Sequence, residues 1–595
     1  MSILGKREHT VVDTVFKSSW RVYMLNSFTW AIGMLVDGAI IGNFLGVNPV
    51  AAYGLVWPLT LVYALIGNVV SGGARSLYTR YAGQGKLPEA NRVYSLALLL
   101  AVGLSLAAML LSYAMLSPLA QLLGASGDHA LLRPQVCQYL GGLLLSLPFD
   151  NGAKVISCFI SIDSDDRHVV IATVAMTVTD IVGDLLVVLV FHGGMFLLGF
   201  TTALGQLVYF LILSLHFLRP DRMLHFTLKG LTRVGEKIRL ILYHGAPVGI
   251  SHIASAVCGI VVNRILAASA SASYLAAYSV HQSMTSLVGA CYMGIADTVW
   301  TLSSIFYGEE DEKALDELQR TSLRIGLKVT LIAAALLLTF PRLFASIYIG
   351  RSDQEALALG VHAVQFFALS LPLYMLAYLF DNYLMGVGQL HASNLFSFFL
   401  ECAAVLPVVW ILVRLLGGSG AWTATPIFLF IMIVNALVYI LFWKDGDSFS
   451  QKRLLLKSDF GNATGKELSI SADTMLEVVG MSRLAGLFCR ENGIDAKKAN
   501  ILALCIEELG ANIINHGFSD GKPHSIDMRI LAKEDGLILR IRDDCRPFNL
   551  MERYRMTVAQ DGDPTRNIGI RMVVKMSRDV RYLSTLETNN LIIRI

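Results

Sequence analysis

Runs of mostly apolar residues dominate the chain up to Trp443, each close to the roughly 20 residues that span a bilayer as a helix. About twelve such runs lie near residues 20–44, 50–73, 93–116, 136–160, 168–192, 194–217, 240–266, 275–303, 325–349, 359–386, 395–416 and 420–443. Beyond Trp443 the pattern changes. Residues 444–465 are polar enough for a linker, with Lys444-Asp445-Gly446-Asp447-Ser448 and Gly461-Asn462-Ala463-Thr464-Gly465. The segment 466–595 then alternates helical and strand periods: strand 466–470, helices 473–492 and 495–516, strands 524–532 and 536–543, helix 567–577, and strands 579–585 and 589–595. The expected fold class is an all-α polytopic membrane protein of about twelve helices in two six-helix lobes, followed by an α+β two-layer domain.

The lobes are expected at 15–217 and 237–443, within a membrane domain 1–443, because short motifs recur in order. Ala51-Ala52-Tyr53 returns as Ala276-Ala277-Tyr278, and Tyr81-Ala82-Gly83 as Phe306-Tyr307-Gly308 at the same offset. Leu145-Ser146-Leu147-Pro148 returns as Leu369-Ser370-Leu371-Pro372. Ordered repeats of this kind indicate parallel bundles with a site between or within them. Basic residues cluster in alternate loops: Arg80, Lys86 and Arg92; Arg219 to Arg239; Arg320, Arg324 and Lys328. By the positive-inside rule these loops, both termini and the C-terminal domain face the cytoplasm of a cell-membrane protein.

Composition sharpens this picture. A single soluble domain rarely reaches 595 residues with 54% hydrophobic and 16% charged, so several spans plus a smaller domain are expected, and a net charge of +3 is too weak to suggest a nucleic-acid partner. Eight cysteines without a CxxC pair support neither a disulfide framework nor a zinc site. Lys6, Arg7, Lys17 and Arg21 precede the first apolar run with no small-residue cleavage site, so no cleaved leader is expected.

Carboxylates at membrane depth are costly and are functional candidates by default, helix packing being the alternative. Asp37, Asp180, Asp184 and Asp381 fall in apolar runs, and Asp180 lies one turn before Asp184 on the same face, where two acids could share one proton. Glu401 and Asp297 are further cases, while Asp150 and Lys154 are spaced to neutralise one another. The stretch from Asp37 to Gly46 with Ala51-Ala52-Tyr53-Gly54, and that from Ser71 through Tyr81-Ala82-Gly83-Gln84-Gly85 to Glu89-Ala90, resemble the multidrug and toxin extrusion (MATE) family. The resemblance covers about residues 15–443. It implies export of small organic cations or amphiphiles against a proton or sodium gradient, with Asp37 and Asp184 matching family acids and Asp381 an acid of part of the family. No counterpart of the acid some members carry in helix seven is evident after Pro247.

In the C-terminal domain Leu502, Cys505, Leu509 and Ile513 form a buried stripe, with Glu508 and Asn512 one turn apart on an adjoining face. Asp543 ends the inward face of strand 536–543 set by Leu537, Leu539 and Ile541, where an acid needs a partner. Glu508-x-x-x-Asn512, Asp543-Asp544-Cys545-Arg546-Pro547-Phe548 and Asn567-Ile568-Gly569-Ile570 resemble the boxes of the GHKL (histidine-kinase and Hsp90-like) ATP-binding fold, most closely its anti-sigma-factor serine-kinase branch. The resemblance implies ATP and Mg²⁺ as cofactors, Asn512 on the metal, Glu508 as general base, Asp543 reading adenine, and Gly569 and His516 beside the nucleotide. Cys545 and Asn567 stand where the family pattern has glycine. Three functions follow as expectations: a gradient-coupled exporter of small molecules whose ATP-binding domain regulates it or phosphorylates a regulatory protein client; a membrane-tethered serine/threonine kinase of the anti-sigma-factor type; or a lipid-linked precursor flippase.

Overall fold

A computed structural model of the chain describes residues 10–44, 47–123, 125, 132–163, 165–219, 222–229, 233–269, 272–348, 354–458, 460–461, 466–520, 524–533, 536–545, 550, 554, 568–585 and 588–595; the side chains of some helical residues, Asp37 among them, lie outside that description. The first lobe comprises α1 (Val11–Phe44), α2 (Val47–Gly83), α3 (Leu87–Ala114), α4 (Leu116–Leu122), α5 (Arg133–Leu144), α6 (Leu147–Ile162), α7 (Asp166–Leu189) and α8 (Met195–Ser214). The second comprises α9 (Val234–Ser269), α10 (Ala272–Gly308), α11 (Glu312–Thr339), α12 (Pro341–Tyr348), α13 (Gln354–Gly386), α14 (Leu390–Phe398), α15 (Val405–Leu416) and α16 (Gly420–Leu441). Each apolar run of the sequence overlaps one or more of these helices. Among the described residues seven helices are long and apolar enough to cross a membrane, or up to eight if the bent pair α5–α6 is one span.

The repeats have structural meaning. Tyr81-Ala82-Gly83 and Phe306-Tyr307-Gly308 end α2 and α10, which cross one another there. A Cβ on Gly83 would lie 2.5 Å from the Ile305 carbonyl oxygen, and one on Gly308 would lie 2.5 Å from that of Arg80. This reciprocity is the signature of a two-fold contact, which glycine alone permits at that spacing. The Leu-Ser-Leu-Pro repeat behaves differently in the two lobes. Pro148 opens α6 after a 43° bend, whereas Pro372 sits inside a continuous α13. The basic clusters expected in loops lie partly on helices: Arg80 is on α2, Arg92 on α3, Lys237 and Arg239 on α9, and Arg320, Arg324 and Lys328 all on α11, which already starts at Glu312 because Asp311 caps it by accepting the Ala314 N–H at 3.0 Å.

After α16 the chain passes through the short α17 (Phe449–Arg453) into a five-stranded antiparallel sheet, β1 (Glu467–Ala472), β2 (Ile526–Lys533), β3 (Gly536–Asp543), β4 (Asp579–Thr585) and β5 (Thr588–Arg594), in the order β1-β2-β3-β5-β4. α18 (Met475–Glu491), α19 (Ala496–Asn512) and α20 (Ile568–Met576) cover one face. A capping box of Thr474 and Glu477 starts α18, and Asp495 caps α19. The layers meet through Val478, Leu502, Cys505, Leu509 and Val573 on the helices and Met528, Leu539, Ile541 and Ile593 on the strands. The opposite face carries Arg529, Arg540, Arg542, Arg581 and Ile592, following the two-residue period of each strand.

Candidate functional site

The three boxes of the C-terminal domain converge on α19. Glu508 and Asn512 lie half-buried on its last turns, and the backbone passes directly into a π-helical turn, Ile513–Gly517, a geometry frequent at functional sites. Gly569, in the first turn of α20, presses against Glu508 so closely that a Cβ there would sit 1.9 Å from Glu508 Oε2. The N-terminus of α20 therefore lies beside Glu508 on α19, an arrangement suited to phosphate. His516 is exposed in the π turn.

On the other side of the π turn, Gly517 packs on Cys545, whose Sγ would lie 2.7 Å from a Cβ at 517. Cys545 is not among the residues with positive φ, so its side chain costs no backbone strain. Its N–H donates to Asp543 Oδ1 at 3.0 Å, closing a side-chain turn at the end of β3. Asn589 Nδ2 on β5 donates to the same oxygen at 2.7 Å. Asp543 is 5% exposed. Burial pushes its carboxyl above the usual range, against the pull of Asn589 and the Cys545 N–H. Asp544 accepts the Ser525 N–H at 3.2 Å and contacts His524 Nδ1 at 3.1 Å, tying the start of β2 to this corner. The residues present fit a nucleotide: a fixed buried carboxylate suits an adenine amino group, Gly569 lets Glu508 sit against a helix N-terminus, and Asn512 offers an amide oxygen to a hard cation. Arg546, Pro547, Phe548 and Asn567 lie outside the described residues.

The membrane acids divide into distinct settings. Asp37 lies in α1. Asp180 and Asp184 both face α8: Asp184, 3% exposed, accepts from Thr201 Oγ1, and a Cβ on Gly205 would approach Asp180 Cβ at 3.5 Å. One oxygen of Asp180 is buried without a hydrogen-bond partner among the described residues. Asp381 on α13 is held from α14 by Ser393 Oγ at 2.7 Å and Ser397 Oγ at 2.6 Å, a helix-to-helix bond that also suffices as a packing role. Asp150 and Lys154 pair at 2.7 Å, as their spacing predicts.

Two further groups only the structure assembles. Arg75 on α2 reaches across the lobe boundary to Asp297 on α10 at 3.1 Å and lies 3.7 Å over the Trp300 ring. Glu401, in a π-helical turn between α14 and α15, accepts from Tyr378 Oη and from Ser251 Oγ at 3.3 Å. The sequence marked Asp297 and Glu401 as polar anomalies, but their partners are far away in the chain.

A pseudo-two-fold helical bundle with buried carboxylates, joined to a layer of helices on an antiparallel sheet with an acid–amide pair, defines a carrier-type membrane protein fused to an ATPase-type domain. The MatE family model matches residues 23–186 and 247–411, and the chain belongs to that family. A second family, the histidine kinase-like ATPase domain, matches residues 471–595. The multidrug export protein MepA of Staphylococcus saprophyticus is 21% identical over 438 residues, covering 73% of this chain and 94% of that protein. An outward-facing multidrug resistance MATE transporter of the MOP superfamily superimposes with a TM-score of 0.68 at 18% identity, over 72% of this chain and 95% of that one. A MOP-superfamily transporter from Pyrococcus furiosus with a binding pocket of reverse polarity superimposes with a TM-score of 0.66 at 18% identity, over 72% and 95%. At that identity the two structures bear on the fold.

Proposed function

We propose that this chain is a secondary antiporter that exports small organic or amphiphilic compounds, driven by a proton or sodium gradient, and that its C-terminal domain binds Mg-ATP and regulates transport. The observation that carries the transport half is the Asp180–Asp184 pair on the α8 face of α7, where one carboxylate oxygen is buried without a partner among the described residues. Such a group is poised to take up a proton or a cation. The basic residues of the α2–α3 and α8–α9 segments support a cytoplasmic side for the C-terminal domain in this reading. When bound, ATP supplies a transferable phosphoryl group. Asp543 would hold its base, Asn512 its metal ion, and Glu508 would take the proton of an acceptor hydroxyl.

The test uses the purified full chain in proteoliposomes, with ethidium as probe and an imposed pH or sodium gradient. Asp37→Asn and Asp184→Asn are expected to abolish gradient-driven ethidium movement at unchanged protein level; undiminished movement rejects the coupling role. The gradient that drives wild-type movement identifies the ion. Mg-ATP titration of the full chain in detergent separates the nucleotide half: Asn512→Asp is expected to weaken binding at least tenfold, and equal affinity overturns the metal role. Glu508→Gln is expected to bind normally and lose phosphate transfer to a protein client.

A further inference from the structure

The sheet face not covered by helices is buried against the membrane bundle, and two of its contacts fall at equivalent places, a third being the Ser584 N–H on Met223 Sδ at 2.8 Å in the segment between α8 and α9. α2 and α10 end in the same turn. In the first, the Gly85 N–H donates to Ala82 O at 2.8 Å and the Lys86 N–H to Tyr81 O at 2.8 Å. In the second, the Glu310 N–H donates to Tyr307 O at 3.2 Å and the Asp311 N–H to Phe306 O at 3.0 Å. Gly85 and Glu310 hold the left-handed position, with φ of 73° and 57°. An arginine of the sheet donates to the carbonyl of each: Arg581 Nη1 to Gly85 O at 3.1 Å, and Arg529 Nη2 to Glu310 O at 2.6 Å.

The two grips differ in strength. At the second turn Arg529 Nη1 and Arg540 Nη1 also donate to Glu309 O at 3.1 and 3.2 Å, and the buried Glu309 carboxylate receives Arg542 and Asn590. Asp311 contacts Arg542 at 3.4 Å. Removing one partner from such a buried cluster leaves an uncompensated charge, so this grip is costly to open. At the first turn the contact is a neutral carbonyl, a partly exposed Arg581 and the Ile592 side chain, 3.5 Å from a Cβ at Gly85. Directly beneath both turns is the glycine crossing of α2 and α10. Glu310 departs from glycine at a position where its repeat partner keeps one; its carbonyl is spoken for by Arg529.

We propose that the C-terminal domain is a clamp: its sheet grips the repeat-equivalent turns of both lobes, holds the α2–α10 crossing shut, and must let go of the Gly85 turn before the lobes can part on that side. A body fastened to both turns cannot follow either lobe alone, and the weaker grip opens first while the arginine cluster keeps the domain on the second lobe. This rests on the reading of the bundle as an alternating-access carrier, and it does not require nucleotide binding.

Hydrogen exchange of the full chain in detergent, read by mass spectrometry, tests the grip; ethidium movement in proteoliposomes tests its consequence. Arg581→Ala, a partly exposed position, is expected to raise exchange at the Gly85 and Lys86 amides at least tenfold and ethidium movement severalfold. Glu309→Ala is expected to raise exchange at the same two amides, in the lobe whose turn its side chain does not touch. Unchanged exchange at Gly85 and Lys86 in Arg581→Ala overturns the clamp, as does faster exchange with ethidium movement at the wild-type rate. Should Glu309→Ala fail to fold, Arg581→Ala alone decides. If the wild type moves no ethidium under any gradient, the exporter reading falls, and the exchange result still decides whether the sheet restrains both turns.

Discussion

Single positions without a side chain set the chemistry of the C-terminal cleft. Gly569 gives Glu508 the space it occupies, since any Cβ would overlap the Glu508 carboxylate. Gly569→Ala is therefore expected to turn Glu508 out of place and weaken Mg-ATP binding tenfold or more, about 1.4 kcal/mol by titration calorimetry. Equal affinity would place the nucleotide away from α20. Glu310 presents the reverse case, a side chain in a conformation that costs a non-glycine residue about 1–2 kcal/mol. Glu310→Gly keeps the carbonyl that Arg529 holds and gives up only a 3.4 Å contact with Lys533. Its melting temperature is expected to equal or exceed that of the wild type; a clear fall would show that the side chain matters more than the backbone. Cys545 was the position most at odds with its family box, and it settles by using its N–H on Asp543 in an ordinary backbone region.

Among the elements, helix ends carry more information than helix centres. α2 and α10 are mostly apolar, with Arg75 and Asp297 paired between them, yet their last turns hold the crossing glycines, the equivalent turns and the two equivalent contacts to the sheet. Gly83→Val and Gly308→Val are each expected to destabilise the chain by about 1–3 kcal/mol through forced separation of the two backbones. Gly103 on α3 has no atom within 4 Å of where its Cβ would stand, so Gly103→Ala should melt no lower than wild type. Thermal melting in detergent compares the three; equal melting of Gly83→Val and Gly103→Ala would mean that the crossing is loose. α19 follows the same rule: its buried stripe of Leu502, Cys505 and Leu509 is structural, and the acid–amide pair appears only where the helix gives way to a π turn.

For the whole molecule, the charge cluster between sheet and bundle links stability to pH. Burial pushes the Asp311 carboxyl up, but Arg542 and Arg529 more than offset this and leave it below the usual aspartate range. Glu467, on the rim of the cluster with Arg529 at 2.9 Å, is likewise pulled down against its burial. A carboxylate depressed in the folded state contributes stability that is complete above its unfolded value and lost as pH falls through the folded one. The contribution of Asp311 and Glu467 to the docked state, read by its melting temperature, is thus expected to be complete from pH 7 down to about pH 4, near the ordinary carboxylate values, and to be lost below that. A decline that begins near pH 6 would point to a histidine and remove Asp311 and Glu467 as the cause.

Much of this protein is local and could be read along the chain. Twelve apolar runs, the Ala-Ala-Tyr and Tyr-Ala-Gly repeats, the 3.6-residue stripe of α19 and the alternation of β3 follow from periodicity, because burial of each element selects its own face. The boxes around Glu508, Asn512, Asp543 and Gly569 were visible as spacings, since each lies within one element or turn. What the sequence could not contain is pairing at a distance. Arg75 and Asp297, Glu401 with Ser251 and Tyr378, and the arginines of β2 and β3 on Glu309 join residues whose separation along the chain carries no signal. On a strand Arg540 and Arg542 read as the solvent face of a half-buried sheet; only the docking of that sheet on the ends of α2 and α10 made them an interior, because a charge becomes structural when its partner takes the place of water.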